Sequence, residues 1–208
     1  MKIAKEAYPI LFHLTWIFGL LGFIHWVGWG IGLALIMAVA FFFRDPERPI
    51  APSDRVILSA ADGTVVEVAP AIDPMGISGR FIKVAIRLSL MDVHINRSPI
   101  SGYIRKVRYE PGRFLPIGSK RAALANEANW IVIGGQHPII GVRQVAGCLA
   151  RRIVCYRKEG EWVKQGDRLG MIRLGSRVEL YLPEWVTIKV AQGEVVKAGQ
   201  TVVALWPS

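Results

Sequence analysis

Two features of this sequence predict a mainly β fold, a flattened barrel or sandwich, preceded by an N-terminal hydrophobic hairpin. Residues 7–43 contain no Asp, Glu, Lys or Arg. After residue 44 the chain breaks into short runs rich in β-branched and aromatic residues, punctuated by Gly, Pro and Asp, which is the pattern of an all-β sandwich or barrel. At 208 residues and 52% apolar content the chain can bury a real core, and its composition excludes a disordered polymer. The expected division is residues 1–43 as a membrane anchor, hairpin or re-entrant, and residues 44–208 as a soluble β-rich domain.

The apolar run comes first. A bilayer span needs roughly 20 residues at about 1.5 Å each, so 37 uncharged residues exceed one pass. Two passes fit, with the break in "GFIHWVGWGIG", where Gly22, Gly28, Gly30 and Gly32 weaken a helix and His25, Trp26 and Trp29 suit an interface. His13 and His25 read as interfacial side chains rather than ligands. Lys2 and Lys5 precede the run and Arg44 and Arg48 follow it, so the positive-inside tendency puts both ends on the cytoplasmic face. A cleaved signal peptide is disfavoured, because its apolar region is only about 7–15 residues long.

The formal charge of +10 lies almost wholly after residue 43 and is scattered rather than massed. That argues against a nucleic-acid stripe and for an anionic membrane surface, at about 1 kcal/mol per basic residue near it. Cys148 and Cys155, seven residues apart in an apolar segment, read as reduced core thiols of a cytosolic domain, on opposite faces if the segment is one strand.

"FFFRDPERPIAPSD" carries the chain out of the apolar region, its prolines ending any helix. Strands are then expected at "GTVVEVA", "RFIKVAIRL", "GYIRKVRY", "NWIVIG", "CLARRIVCY", "GMIRL", "RVELYL" and "TIKVAQ". "SKRAALANEAN" is the one helix candidate in this part. "EWVKQGDRLGMI" and "EVVKAGQTVVAL" share a Val-Lys-x-Gly-x-x-Leu/Val pattern, and "ADGTVVEV" is a possible third copy. These paired turns resemble the flattened barrel of biotinyl and lipoyl carriers. The carriers' attachment lysine has no counterpart, since Lys164 and Lys197 sit inside the turns without the usual Met or Ala flanks.

"MIRLGSRVELYLP" reads as one strand interrupted by Gly175 and Ser176. A serine after a glycine can attack the preceding carbonyl, converting amide to ester. Elimination then cuts the chain and leaves dehydroalanine, which hydrolyses to a pyruvoyl group and ammonia. Glycine permits the close approach such a step needs, but a Gly-Ser pair alone is an ordinary turn.

The wider context is more specific. "FFFRDPER", "ADGTV", "MDVHINRSPISG", "NEAN", "QVAGCLARRIVCY", "GDRLGMIRLGSRVELYLP" and "GQTVVA" occur in this order over nearly the whole chain. Together they resemble the short, membrane-anchored form of phosphatidylserine decarboxylase, a pyruvoyl-dependent family. The resemblance implies a proenzyme that cuts itself between Gly175 and Ser176. The products are a β chain of residues 1–175 and an α chain of residues 176–208, which stay together as a heterodimer. Ser176 becomes the pyruvoyl cofactor, which forms a Schiff base with phosphatidylserine and accepts electrons as the carboxylate leaves, giving phosphatidylethanolamine. No metal is implied.

The same likeness assigns further roles. Asp62 in "SAADGTV" matches an aspartate that supports self-cleavage by orienting a histidine, although Asp-Gly is also a common turn. His94 in "MDVHINRSP" is the candidate base for Ser176 and acid for the decarboxylated intermediate. Longer members carry a second histidine three residues on, where this chain has Arg97, a candidate for holding substrate phosphate or carboxylate. His137 reads as a loop residue. Two rival readings are a membrane-anchored zinc peptidase of the lysostaphin type, which requires a His-x-His pair absent here, and a tethered carrier module that stays one chain. Ester- and ether-linked serine lipids fit the sequence equally.

Overall fold

The computed structural model describes residues 2–50, 53–72, 79–115, 125–135, 139–148, 152–173 and 176–207. The chain forms two compact units, Met1–Glu47 and Arg48–Ser208.

The first unit is a closed helical hairpin. Strand β1 (Lys2–Ile3) leads through a 3-10 turn, Lys5–Ala7, into α1 (Tyr8–Ile24), then α2 (Val27–Phe42) and β2 (Arg44–Asp45). Pro9 sits in the first turn of α1, where its missing N–H costs nothing. The helix stops at His25, whose extended backbone, φ −151° and ψ 131°, still donates its N–H to Leu21 O. The ends of the unit are tied by antiparallel pairing of β1 with β2 and by Ala4 N–H to Phe43 O at 2.8 Å. Gly32 lets the helices approach, since a Cβ there would lie 2.4 Å from Phe18 Cβ. Elsewhere the surface is apolar: no residue of α1 is buried, and Phe12, Trp16, Leu20, Phe23, Leu33 and Met37 are all exposed. Lys5–Ile24, 20 residues with mean hydropathy 1.7, is long and apolar enough to cross a membrane. The 16 residues of α2 are a shorter apolar helix.

The second unit is mainly β. In chain order its strands are β3 (Val56–Leu58), β4 (Gly63–Ile72), β5 (Arg80–Leu88), β6 (Ile95–Arg97), β7 (Gly102–Glu110) and β8 (Ala128–Gly134). There follow β9 (Ile140–Ala146), β10 (Ile153–Cys155), β11 (Trp162–Val163), β12 (Arg168–Ile172), β13 (Ser176–Pro183), β14 (Thr187–Ile188), β15 (Val195–Val196) and β16 (Val202–Leu205). An eight-stranded antiparallel sheet, ordered β11-β7-β8-β9-β13-β5-β4-β15, curls into half a barrel. Two three-stranded sheets, β10-β12-β6 and β14-β16-β3, complete the described strands.

Strand β13 sits at the centre, paired with β9 on one side and β5 on the other. Its alternation places Val178, Leu180 and Leu182 in the main core with Ile86, Ile131 and Val142. The opposite side chains are polar but engaged: Arg143 Nη1 lies 3.3 Å from Glu179 Oε2, Arg177 Nε lies 2.8 Å from Glu179 Oε1, and the Tyr181 hydroxyl donates to Glu179 Oε2 at 3.0 Å. Burial, then the Glu179 carboxylate, pushes the Tyr181 phenol above its ordinary range.

Several expectations change. "MIRLGSRVELYLP" is two strands in two different sheets, β12 and β13. Among the described residues, "CLARRIVCY" contributes β10 and "TIKVAQ" contributes β14, whereas "IGVRQVA", not expected as a strand, forms the fully buried β9. Cys148 is exposed, because it lies past the end of β9, and so is not a core thiol, whereas Cys155 is half-buried and packs against the main core. Of the helix candidate over residues 119–129, residues 119–124 and also His137 lie outside the described residues. Ala125, the first described residue of the stretch, is helical, and the chain then becomes extended, with Asn126 bridging to Arg113 and β8 starting at Ala128.

Candidate active site

The corner between the two sheets organises the site. β12 ends at Ile172 in the small sheet, and β13 begins at Ser176 in the large one. Gly175 and the side chain of Ser176 lie outside the described residues. The backbone of Ser176 is fixed from both sides, with Leu88 at the end of β5 and Ala146 at the end of β9 as its register partners.

A second connection crosses between the same two sheets. β5 pairs with β13 and β6 pairs with β12, so residues 89–94 run from the partner of Ser176 to the partners of β12. His94 stands at the far end of that crossing, where its carbonyl accepts the Ile172 N–H at 3.4 Å. Its side chain is fully buried. The chain thus brings His94 to the start of β6 and Ser176 to the start of β13, on either side of one corner.

Asp62 and Arg97 belong to an adjoining buried polar cluster. Arg48 grips both Asp62 oxygens, Nη1 to Oδ1 and Nη2 to Oδ2, each at 2.6 Å, and the Ala198 N–H donates to Oδ1 at 2.8 Å. Arg48 Nη1 also reaches the Ala198 carbonyl at 2.6 Å. Among the described contacts, the Asp62 carboxylate is held by an arginine and a backbone amide. Arg97, only 5% exposed, donates its backbone N–H to Ala60 O at 2.9 Å and Nη1 to Gly166 O at 3.0 Å. It tethers the Asp62 loop to the turn at Gly166.

The repeated turns meet at the same cluster. Gly166 and Gly199, φ +84° and +70°, occupy equivalent places in the two copies of the sequence pattern. They touch: a Cβ on Gly199 would lie 3.2 Å from Arg97 Cδ and 3.7 Å from Gly166 Cα, and one on Gly166 would lie 1.8 Å from Ile50 Cδ1. Lys164 and Lys197 in these turns are exposed.

A buried amide chain, to which sequence reasoning gave no role, braces the corner from behind. Asn129 Nδ2 donates to Gln144 Oε1 at 2.9 Å, and Gln144 Nε2 donates to Asn96 Oδ1 at 2.8 Å, linking β8, β9 and β6. Asn126 Nδ2 donates to the carbonyl of Ala146, the register partner of Ser176, at 2.7 Å. The available signal was "NEAN" before an apolar strand and Gln144 inside one, since an amide in a buried strand needs a partner. The family model described as phosphatidylserine decarboxylase matches residues 35–204, a span that includes Asp62, His94, Arg97 and Ser176.

Proposed function

The chain belongs to the phosphatidylserine decarboxylase family, and from that premise we propose that it is a self-cleaving, pyruvoyl-dependent decarboxylase acting on phosphatidylserine at a membrane. The carrying observation is the position of Ser176: first residue of a central strand, held at the backbone on both sides, at a corner shared with a buried histidine.

In self-cleavage, an imidazole nitrogen of His94 takes the proton from Ser176 Oγ as that oxygen adds to the Gly175 carbonyl, and returns it to the Ser176 nitrogen as the Gly175–Ser176 C–N bond breaks to leave an ester and a free amine. Loss of the Ser176 α-proton then expels the Gly175 carboxylate, and water converts the remaining enamine to a ketone with release of ammonia. The protein suits the product, because residue 176 gives up its nitrogen as ammonia while Arg177–Pro183 keep their pairing with β5 and Arg177–Tyr181 theirs with β9. The new α chain would begin with β13, which lies between β9 and β5. Its β15 and β16 pair with β4 and β3 of the β chain. The heterodimer needs no covalent link.

The pyruvoyl carbonyl would supply an electron sink for loss of CO2 from the serine headgroup. His94, buried away from bulk water, would hold the proton delivered to the carbon that has lost CO2. Asp62 and Arg97 act as positioning residues, fixing the loops that flank the corner through Arg48, Ala198 and Gly166. The helical hairpin, with its exposed apolar surface, would hold the enzyme on the cytoplasmic face of a bilayer containing its substrate.

A denaturing gel with intact mass analysis tests the proposal. The parent should yield a 33-residue fragment, residues 176–208, that resists Edman degradation, and borohydride in the presence of phosphatidylserine should fix lipid to residue 176. Ser176→Ala should remain one inactive chain. An active protein that stays intact, or a fragment beginning with free serine, refutes the reading.

A further inference from the structure

The loop that closes the corner carries an apolar tip. Past Leu88, the chain turns through Ser89, Leu90, Met91 and Asp92 before reaching His94. The turn is closed by Ser89 N–H to Asp92 Oδ2 at 2.7 Å and Asp92 N–H to Ser89 O at 3.2 Å. It presents Leu90 and Met91 outward, 45% and 70% exposed, while Leu88 and Val93 on either side are buried. Two exposed apolar side chains alone are ordinary. Their surroundings are not neutral, however. Arg87, on the strand entering the loop, is exposed. Arg152 is exposed as well, and its carbonyl accepts the Arg173 N–H at 3.2 Å, one residue beyond the Ile172 that bonds His94. The turn's only acid, Asp92, is occupied by Ser89.

We propose that this loop and the arginines beside it form the face on which an anionic phospholipid surface docks. Leu90 and Met91 enter the boundary between headgroups and acyl chains, and the exposed Arg87 and Arg152 meet the lipid phosphates and carboxylates. Because the loop begins opposite Ser176 and ends at His94, docking here sets a headgroup over the corner without extracting the lipid. The inference rests on the proposed lipid substrate.

The test uses the full-length processed protein, its Leu90→Ser/Met91→Ser variant, mixed phosphatidylcholine and phosphatidylserine vesicles, and short-chain phosphatidylserine kept monomeric. The variant should show a KM on vesicles raised about tenfold, from the lost insertion of two apolar side chains, with kcat/KM on monomeric lipid unchanged. Equal losses on both substrates, or none on vesicles, overturns the proposal. A Met91→Trp variant gives a second measurement independent of turnover: its added fluorescence should be quenched by brominated lipid in the vesicles. Absence of quenching, or a concentration-dependent dimer that the double substitution abolishes, assigns the face elsewhere and overturns the proposal. A parent inactive on both substrates refutes the decarboxylase reading instead, and leaves the quenching to decide the docking face.

Discussion

Cleavage at residue 176 would turn a core strand into an intermolecular contact, and Leu180→Ala exposes that change. Leu180 is fully buried on β13, with Val84 and Val142 as its register partners on the two adjacent strands. Removing its side chain should cost about 2–5 kcal/mol in transfer and cavity terms. In an uncut Ser176→Ala background the strand is tethered at an effective concentration in the millimolar range, so that cost appears only as lower stability. In the cut protein it should weaken binding of the α chain by roughly 30-fold to a few thousandfold, at about 1.4 kcal/mol per factor of ten. Native mass spectrometry and gel filtration across a dilution series, with and without the Ser176→Ala change, measure the difference. Loss of the fragment on dilution should occur in cut Leu180→Ala protein and in neither the cut parent nor the uncut double variant. If cut Leu180→Ala protein retains its fragment as tightly as the parent, β13 is not the strand that holds the two chains together.

For Glu67, burial acts to raise the carboxyl, but the ion pairs with Lys83 and Arg177 outweigh it and hold the group below its ordinary 4.5. A depressed native value stabilises the fold above the ordinary carboxylate range, and that advantage is lost as pH falls through the native value. The melting temperature of the parent should therefore exceed that of Glu67→Gln at neutral pH, and the gap should close on acidification. Gly166→Ala and Gly160→Ala form a matched pair, since both glycines have φ +84° but only Gly166 would drive a Cβ into Ile50, while Gly160 has nothing within 4 Å. Denaturant titration should give about 1–2 kcal/mol for Gly160→Ala, with a further 1–3 kcal/mol or so from overpacking for Gly166→Ala. Deleting residues 7–43 should release the protein into the soluble fraction and lower activity on vesicles more than on detergent-dispersed lipid. Equal vesicle activity would remove the anchoring role.

The sequence by itself determined the features that depend on local pattern. Residues 7–43 without a charge determine two apolar helices, broken at His25 and Trp26 where glycines and interfacial side chains cluster. Alternation and bordering turn residues determine β5 to the residue, and the repeated Val-Lys-x-Gly pattern marks two equivalent turns. Gly175-Ser176, Asp62 and His94 were legible as candidates because their neighbouring motifs match a family pattern. Tertiary structure decided what depends on partners distant in the chain. β9 does not read as a strand because Arg143 and Gln144 interrupt its apolar run, and both can be buried only because Glu179, Asn96 and Asn129 arrive from other strands to pair with them. Asp62 finds its partners 14 residues upstream at Arg48 and 136 downstream at Ala198. The run "MIRLGSRVELYLP" shows the same division: its period of two fixes which side chains share a face, but nothing local says that β12 and β13 hydrogen-bond to different neighbours. Sheet membership is set by which edges pack together once the chain closes. That packing puts Ser176 at the start of β13 in one sheet and His94 just before β6 in the other.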